Sequence, residues 1–460
     1  MTETAVAGPL TDSPIAPLGP SDQANYNVVI VGGGASGLEL ATQLGDRFRR
    51  TKAGRVTLID RSRTHLWKPL LHSVAAGSMD PSEHELDYLA QAYWHNFRYR
   101  FGDMVGIDRE RKLVQMAPTY DEENRLITPA RSIPYDTLVI AVGSITNDFG
   151  TPGVAEFAVP LETAEQAKRF NRRLINACLR AHTQSEPIRP GQLHVAIVGA
   201  GATGTELAAE LYRTVREVVA FGMDRIDPAV DVRIILLEAG PRILPALPEA
   251  LSASTMETLR KLGVEVRTNA RVSAVQADGI HLADGQFIPS ELVVWAAGVK
   301  APDVLQNIGG LETNRANQLI VNRTLQTTRD PNIFAMGDCA ACPLDDSGSG
   351  ATVPPRAQAA HQEASHLYKQ IQNQMQGKPI EPYRYRDFGS LVSLGKYSTI
   401  GNLMGAIIGP NFRVEGWFAL LMYRSLYKMH EYALHGGRRV ILSILSRGLS
   451  HRAEPEVKLH

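Results

Sequence analysis

From residue 26 onward, short β-branched runs that halt at glycine or other small residues alternate with longer stretches whose apolar positions recur at helical spacing. Residues 28–37, VVIVGGGASG, are such a run, and LELATQLG follows with helical periodicity. The pattern predicts a strand, a tight turn and a helix, and RVTLID (55–60) predicts the next strand. The same order returns in VAIVGAGATG (195–204), TELAAELYRTV and DVRIILLEAG. LVIAVGS (138–144), VVWAAGV (293–299) and IFAMGDCA (333–340) are further apolar strands ending at small-residue turns. Strands alternating with helices predict an α/β architecture with parallel sheets. Residues 1–25 are rich in Pro, Ser, Thr and Ala, lack Lys and Arg, and contain no apolar core. They read as a disordered leader rather than an export or mitochondrial address.

The glycines of the first device, Gly32, Gly34 and Gly37, fill G-x-G-x-x-G. The first permits the turn, the second lets a pyrophosphate approach the backbone, and the third lets helix and strand pack closely. Free N–H groups at the helix start then face the phosphates. Asp60 ends the next strand, 23 residues beyond Gly37, where a carboxylate accepts from ribose hydroxyls. In the second device Gly199, Gly201 and Gly204 take the same places, and its second strand ends at Glu238. A carboxylate there favours a free 2′-hydroxyl over a 2′-phosphate, which points to NADH; Arg242, four residues on, is the competing signal. Two fingerprints 167 residues apart imply two dinucleotides, and a flavin with a nicotinamide is the natural pair for hydride transfer. Asp338, just past a glycine at a strand end, is placed to hold the ribityl chain of the flavin.

Composition narrows the field. The 48 basic and 48 acidic residues cancel, so no global field draws the 460-residue chain to nucleic acid. Three cysteines are too few for a disulfide framework and suit a reducing compartment. Cys339 and Cys342 form one C-x-x-C with no second pair, so they read as incidental small residues, and no metal site is expected. No uncharged run reaches the ~18–20 apolar residues of a spanning helix.

In this order, the two fingerprints and the three strand-turn segments resemble the two-dinucleotide-binding-domain flavoproteins, whose flavin domain is split by an inserted nicotinamide domain. The resemblance implies a leader (1–25), an FAD domain in two parts (26–150 and 303–390), an NADH domain (151–302) and a C-terminal membrane-associating region (391–460). Residues 38–100 contain no cysteine, unlike the disulfide reductases of that superfamily. HLWKPLLHSVAAG (65–77), AQAAHQ (357–362, fitting A-Q-x-A-x-Q) and LVSLGKYSTIG (391–401) closely resemble type II NADH:quinone oxidoreductases, which do not pump protons. That resemblance implies non-covalent FAD held by Gly32, Gly34, Ala35, Ser36, Gly37, Asp60, Arg61, Lys68, Met104 (through its backbone), Gly143, Asp338, Ala360 and Lys396. It implies NADH on Gly199, Gly201, Gly204, Glu238, Ala297 and Gly298.

Gln358 and Gln362, at i and i+4, share a helix face, where two neutral amides offer donors to a quinone carbonyl without charging an apolar pocket. Glu206 matches the glutamate that the family places near flavin and nicotinamide, and is expected to be catalytic. Thr203-x-x-Glu206 is also a capping-box pattern, repeated in Ser36-x-x-Glu39, and that reading needs no catalysis. His65, His72 and His361 are further proton sources.

Between residues 416 and 452 six Lys or Arg (Arg424, Lys428, Arg438, Arg439, Arg447, Arg452) face one acid, Glu431, among aromatic and aliphatic runs split by Gly436-Gly437. This predicts an amphipathic helix pair lying on a lipid surface at the cytoplasmic face of a membrane, where a quinone resides. A helical hairpin covering the core or a homodimer contact is the other reading. The rival activities are a sulfide:quinone oxidoreductase, a soluble NADH-dependent reductase of an iron–sulfur protein, and a non-catalytic NADH-sensing flavoprotein.

Overall fold

The computed structural model describes residues 26–348, 350–394, 399–403, 412–415, 425 and 427–434. The chain opens with strand β1 (Tyr26–Val31), helix α1 (Ala35–Thr51) and strand β2 (Gly54–Asp60). Two short helices follow, α2 (Leu71–Ala76) and α3 (Tyr88–His95), then β3 (Arg98–Phe101) and β4 (Thr137–Ile140). A second set is laid down next: β5 (Ala158–Pro160), α4 (Ala164–Thr183), β6 (His194–Val198), α5 (Ala202–Ala220), β7 (Arg233–Leu237), β8 (Glu265–Arg267) and β9 (Leu292–Trp295). Only then does β10 (Ile333–Ala335) return to pair with β4.

Two parallel five-stranded sheets result, in the orders β10-β4-β1-β2-β3 and β5-β9-β6-β7-β8. Their central strands carry unbroken buried apolar runs, Val28–Val31, Leu138–Ile140, Val195–Val198 and Ile234–Leu237, because helices or further strands cover both faces. The chain crosses between the sheets twice, and the crossings pair with each other: Ile145–Thr146 runs antiparallel to Val299–Lys300. Helix α4 starts at a capping box, in which Thr163 accepts the Gln166 N–H and the Gln166 side chain accepts the Thr163 N–H.

The layout positions the site through two intrusions. Leu71, Val74, Ala75 and Ala76 of α2 bury themselves in the core of the second sheet, against α4 and α5, although they lie in sequence between strands of the first. After helix α6 (Ala357–Met375), strand β11 (Ser390–Ser393) opens an antiparallel sheet with β12 (Thr399–Leu403) and β13 (Phe412–Glu415). Val392 and Leu394 join that same second core. Leu434, at the end of helical residues 427–434, packs into the first core, where Gln91 of α3 donates to its carbonyl at 2.9 Å. Among the described residues no helix is long and apolar enough to cross a membrane.

Candidate active site

The first fingerprint folds as a crowded turn with one opening. Gly32 has φ +103°, and a Cβ added there would stand 2.3 Å from the Ala141 carbonyl oxygen. A Cβ on Gly37 would stand 1.9 Å from the Gly32 oxygen, whereas one on Gly34 meets nothing within 4 Å. The first and third glycines are therefore dictated by packing, and the second by what must approach from outside. Asp60 locks the turn: Oδ2 accepts the Gly33 N–H at 2.6 Å and Oδ1 accepts the Ser62 N–H at 2.7 Å. Burial pushes its carboxyl up from the usual carboxylate range, while those two N–H groups pull it down. From α3, the buried Tyr88 hydroxyl donates to the Gly33 carbonyl at 2.7 Å.

The second fingerprint repeats this plan. Gly199 has φ +102° and abuts Ala297, Gly204 sits against the Gly199 oxygen, and Gly201 is open. Glu238 accepts the Ala200 N–H at 3.0 Å and the Gly240 N–H at 2.8 Å. Arg242 spends its guanidinium on the Leu247 and Pro245 carbonyls, at 2.9 Å each, so its charge is tied to its own loop. Gly298, with φ +66°, closes the turn after β9.

Residues of four segments converge beside the first fingerprint. Lys68 donates to the Ser144 carbonyl at 2.6 Å, and the Ser144 hydroxyl donates to Asp338 at 2.8 Å. Surrounding protein lowers the Lys68 pKa although the residue is exposed, and Asp338 and Glu162 act in the other direction. Gly143, just before Ser144, leaves its Cβ side open. Ser36 and Ala360 both lie against Gly337, the residue before Asp338. Arg61 is exposed beside Asp60. Met104 is buried at the start of strand Met104–Asp108, two residues after Gly102 donates to the Asp60 carbonyl at 3.0 Å. Lys396 lies outside the described residues.

Glu206 is 6% exposed and sits where α5, α2 and β11 meet. It accepts the Ser393 N–H at 2.9 Å and lies 3.4 Å from His72 Nδ1, whose Nε2 is 3.4 Å from Glu210. Ser73 and Ser78 donate to Glu210. Neither α1 nor α5 uses the capping box that its sequence offers. Helices α1 and α5 are capped by Gly34 and Gly201 without side-chain hydrogen bonds, so Ser36 and Thr203 fall inside the first turn. Glu39, the counterpart of Glu206, is also buried, and His361 of α6 donates to it. His65 is paired too, its Nε2 2.9 Å from His430 Nε2.

The two glutamines hold a strap rather than presenting free donors. Gln358 donates to Asp387 (3.2 Å) and the Gly389 carbonyl (2.9 Å) and accepts from Phe388 N–H (3.0 Å). Gln362 donates to the Arg386 carbonyl (2.9 Å) and accepts from its N–H (3.0 Å). The expected shared helix face exists, but these bonds employ both Gln358 amide hydrogens and one of Gln362 on residues 386–389.

Tyr88, Ser144, Glu210 and Glu363 were missed by the sequence reading. Ser144 alone had a signal, as the last residue of LVIAVGS; the others lie in ordinary helical pattern.

Two glycine cradles, each with its own acid and open on one side, define a protein built to hold two dinucleotides. A pyridine nucleotide-disulphide oxidoreductase family model matches residues 26–364. The type II NADH:quinone oxidoreductase of Haemophilus influenzae is 44% identical over 446 residues, 94% of this chain and 100% of that one. The type II NADH:quinone oxidoreductase NdhA of Mycobacterium tuberculosis is 30% identical, over 92% of this chain and 87% of its own. The structure of NDH2 from Plasmodium falciparum in complex with NADH shares the fold at a TM-score of 0.75 and 19% identity, covering 94% of this chain and 100% of that one. The chain belongs to the pyridine nucleotide-disulphide oxidoreductase family and, within it, to the type II NADH:quinone oxidoreductases.

The two cysteines of the C-x-x-C pair are free thiols in the interior. Burial pushes Cys339 and Cys342 each up to about 12, and Cys339 donates to the Met336 and Ile140 carbonyls. Cys178 is likewise buried and pushed up to about 11. At pH 8 such thiols are ionised to roughly one part in a thousand or less. A disulfide-exchange reagent at pH 8 is expected to leave all three unreacted in the folded protein and to titrate all three in denaturant.

Proposed function

We propose that this chain is a peripheral-membrane flavoenzyme that oxidises NADH and reduces a membrane quinone through non-covalently bound FAD, without pumping protons. The observation that carries the reading is the pair of matched cradles, with the Glu206–His72 and Lys68–Ser144–Asp338 groups gathered near them. Asp60, the open face at Gly34 and the acid–lysine pair suit FAD in the first cradle: ribose acceptor, pyrophosphate approach and ribityl partner. Bound there, FAD would supply the hydride acceptor for NADH and the two-electron donor for a quinone.

The side chains of the chain bind, orient and hold protons. Glu238 offers acceptors to the ribose hydroxyls of NADH and repels a 2′-phosphate, and the tied Arg242 leaves that repulsion uncompensated. Gly199, Gly201, Gly204, Ala297 and Gly298 let the dinucleotide lie against backbone. Glu206 fixes His72 against Glu210, which gives a buried site where a proton is held or passed between carboxylate and imidazole. Gln358 and Gln362 set the 386–389 strap that borders the quinone side, and Ala360 keeps the flavin side free of bulk. Lys396 belongs to the same flavin site. The domain limits are those expected from the sequence, 26–150, 151–302, 303–390 and 391–460, with Val392 and Leu394 of the last region seated in the second core.

The segment 416–452 is proposed to lie on lipid at the cytoplasmic face. Helical residues 427–434 support this: His430, Glu431 and Leu434 face the protein, while Met429 and Tyr432 are 65% and 62% exposed. A homodimer contact through the same region remains part of the proposal.

The deciding experiment is stopped-flow mixing: NADH bleaches the flavin and a soluble quinone analogue restores it. Bleaching without restoration supports the sensor, and faster quinone reduction with sulfide than with NADH supports the rival oxidoreductase. Gly201→Ala, whose methyl meets nothing in the protein, is expected to keep Tm within a few degrees. The same variant should raise KM for NADH about 10-fold or more, because the new carbon occupies the pyrophosphate's path. Met429→Glu with Tyr432→Glu should leave NADH oxidation by a soluble quinone analogue intact and lower co-sedimentation with anionic vesicles about 5-fold or more.

A further inference from the structure

Helix α6 carries a buried carboxyl that the reading above leaves without a task. Glu363 is 2% exposed, and its Oε2 accepts the N–H of Gly337 at 2.5 Å. Gly337 has φ +70°; a Cβ there would stand 3.4 Å from Ser36 Oγ and 3.9 Å from Ala360 Cβ. The turn is thus wedged between the first turn of α1, whose N–H groups face the open cradle, and the start of α6. Glu363 is bonded to that wedge at the residue just before Asp338.

Its neighbours offer no compensating charge. Asp338 and Cys339 face it from the turn, Cys342 from just beyond, and Tyr383 and Tyr385 from the segment after α6. The cations that face these neighbours are engaged elsewhere: Arg323, beside Cys342, with Asp346 and the Tyr383 carbonyl, Arg356, beside Tyr385, with Asp387 at 3.0 Å, and Lys68, beside Asp338, with the Ser144 carbonyl at 2.6 Å. Among the described residues no cation pairs with Glu363. Burial pushes its carboxyl up to about 8; the Gly337 N–H pulls down and Asp338 adds to the rise.

We propose that Glu363 is a positioning residue which, in its protonated form, holds the Gly337–Asp338 turn in the shape that retains the flavin dinucleotide, so that losing the proton loosens the cofactor. The inference rests on the FAD reading above. A neutral carboxyl accepts the Gly337 N–H through its carbonyl oxygen and places no charge behind a site that must receive a diphosphate. Ionised, it puts a second negative charge beside Asp338 in a poorly solvated interior. The sign follows from linkage. The group is protonated below about pH 8, and an anionic dinucleotide moves its ionisation higher still, so ionisation must weaken binding by the same factor. Retention is therefore tight below pH 8 and falls above it.

The test is FAD release from the full-length holoprotein, diluted into buffers from pH 6.5 to 9.5 and followed by recovery of flavin fluorescence. The wild type is expected to release slowly up to about pH 8 and about 10-fold faster by pH 9.5. Glu363→Gln keeps an acceptor for the Gly337 N–H and carries no charge, so it should release slowly at every pH. Glu363→Ala removes the tie and should release fast at every pH. A wild-type profile flat with pH overturns the proposal whatever the variants do, and so does a Glu363→Gln profile that still rises. Protein that never carries FAD refutes the flavin reading instead, so the two failures are distinguishable.

Discussion

The structure depends on one close approach made twice. In each fingerprint the α-carbon of the third glycine lies against the carbonyl oxygen of the first, at a separation that leaves no room for a side-chain carbon. That contact sets how steeply α1 rises from β1 and α5 from β6, and with it the direction in which the unpaired N–H groups of each helix point. An acid at the end of the neighbouring strand then fastens the turn from the side by taking one of its N–H groups. Asp60 and Glu238 are thus structural before they are functional: each uses part of its acceptor capacity on its own loop and retains lone pairs for a ribose.

The two units are fitted together by exchange. Helix α2 belongs in sequence to the first sheet but buries its apolar side chains in the core of the second, and β11 does the same from the far end of the chain. Their meeting point is where Glu206 finds both His72 and the Ser393 N–H. A carboxylate that would be costly in an apolar interior is made tolerable by partners from two remote segments, so its geometry reports on the docking of the units as much as on α5 itself.

Much of this was legible in the sequence because its determinants are local. The glycine spacing, the small-residue strand ends and the acids at the ends of the second strands each imply a backbone shape that does not depend on distant contacts, and the sheets formed accordingly. Ser36-x-x-Glu39 and Thr203-x-x-Glu206 misled as capping boxes because glycine itself takes the cap position when a helix starts against a phosphate site. The shared face of Gln358 and Gln362 was readable from the period of a helix. Their engagement with residues 386–389 was not, since nothing in the spacing says which distant segment will lie across that face. Tyr88, Glu210 and Glu363 were silent for the same reason: each sits in an unexceptional helical pattern and acquires its meaning from a partner 26 to 137 residues away.

The paired crossings, Ile145–Thr146 beside Val299–Lys300, have an architectural consequence. Because outgoing and returning strands lie a single strand spacing apart, the roughly 150 residues between them are attached like the head of a hairpin, and the host sheet needs only that narrow neck to accommodate them. Such an arrangement leaves the register of the surrounding strands undisturbed by the length of what is inserted. The neck sets the path of the chain, while α2 and Val392, seated in the second core, hold the two mouths in one mutual orientation.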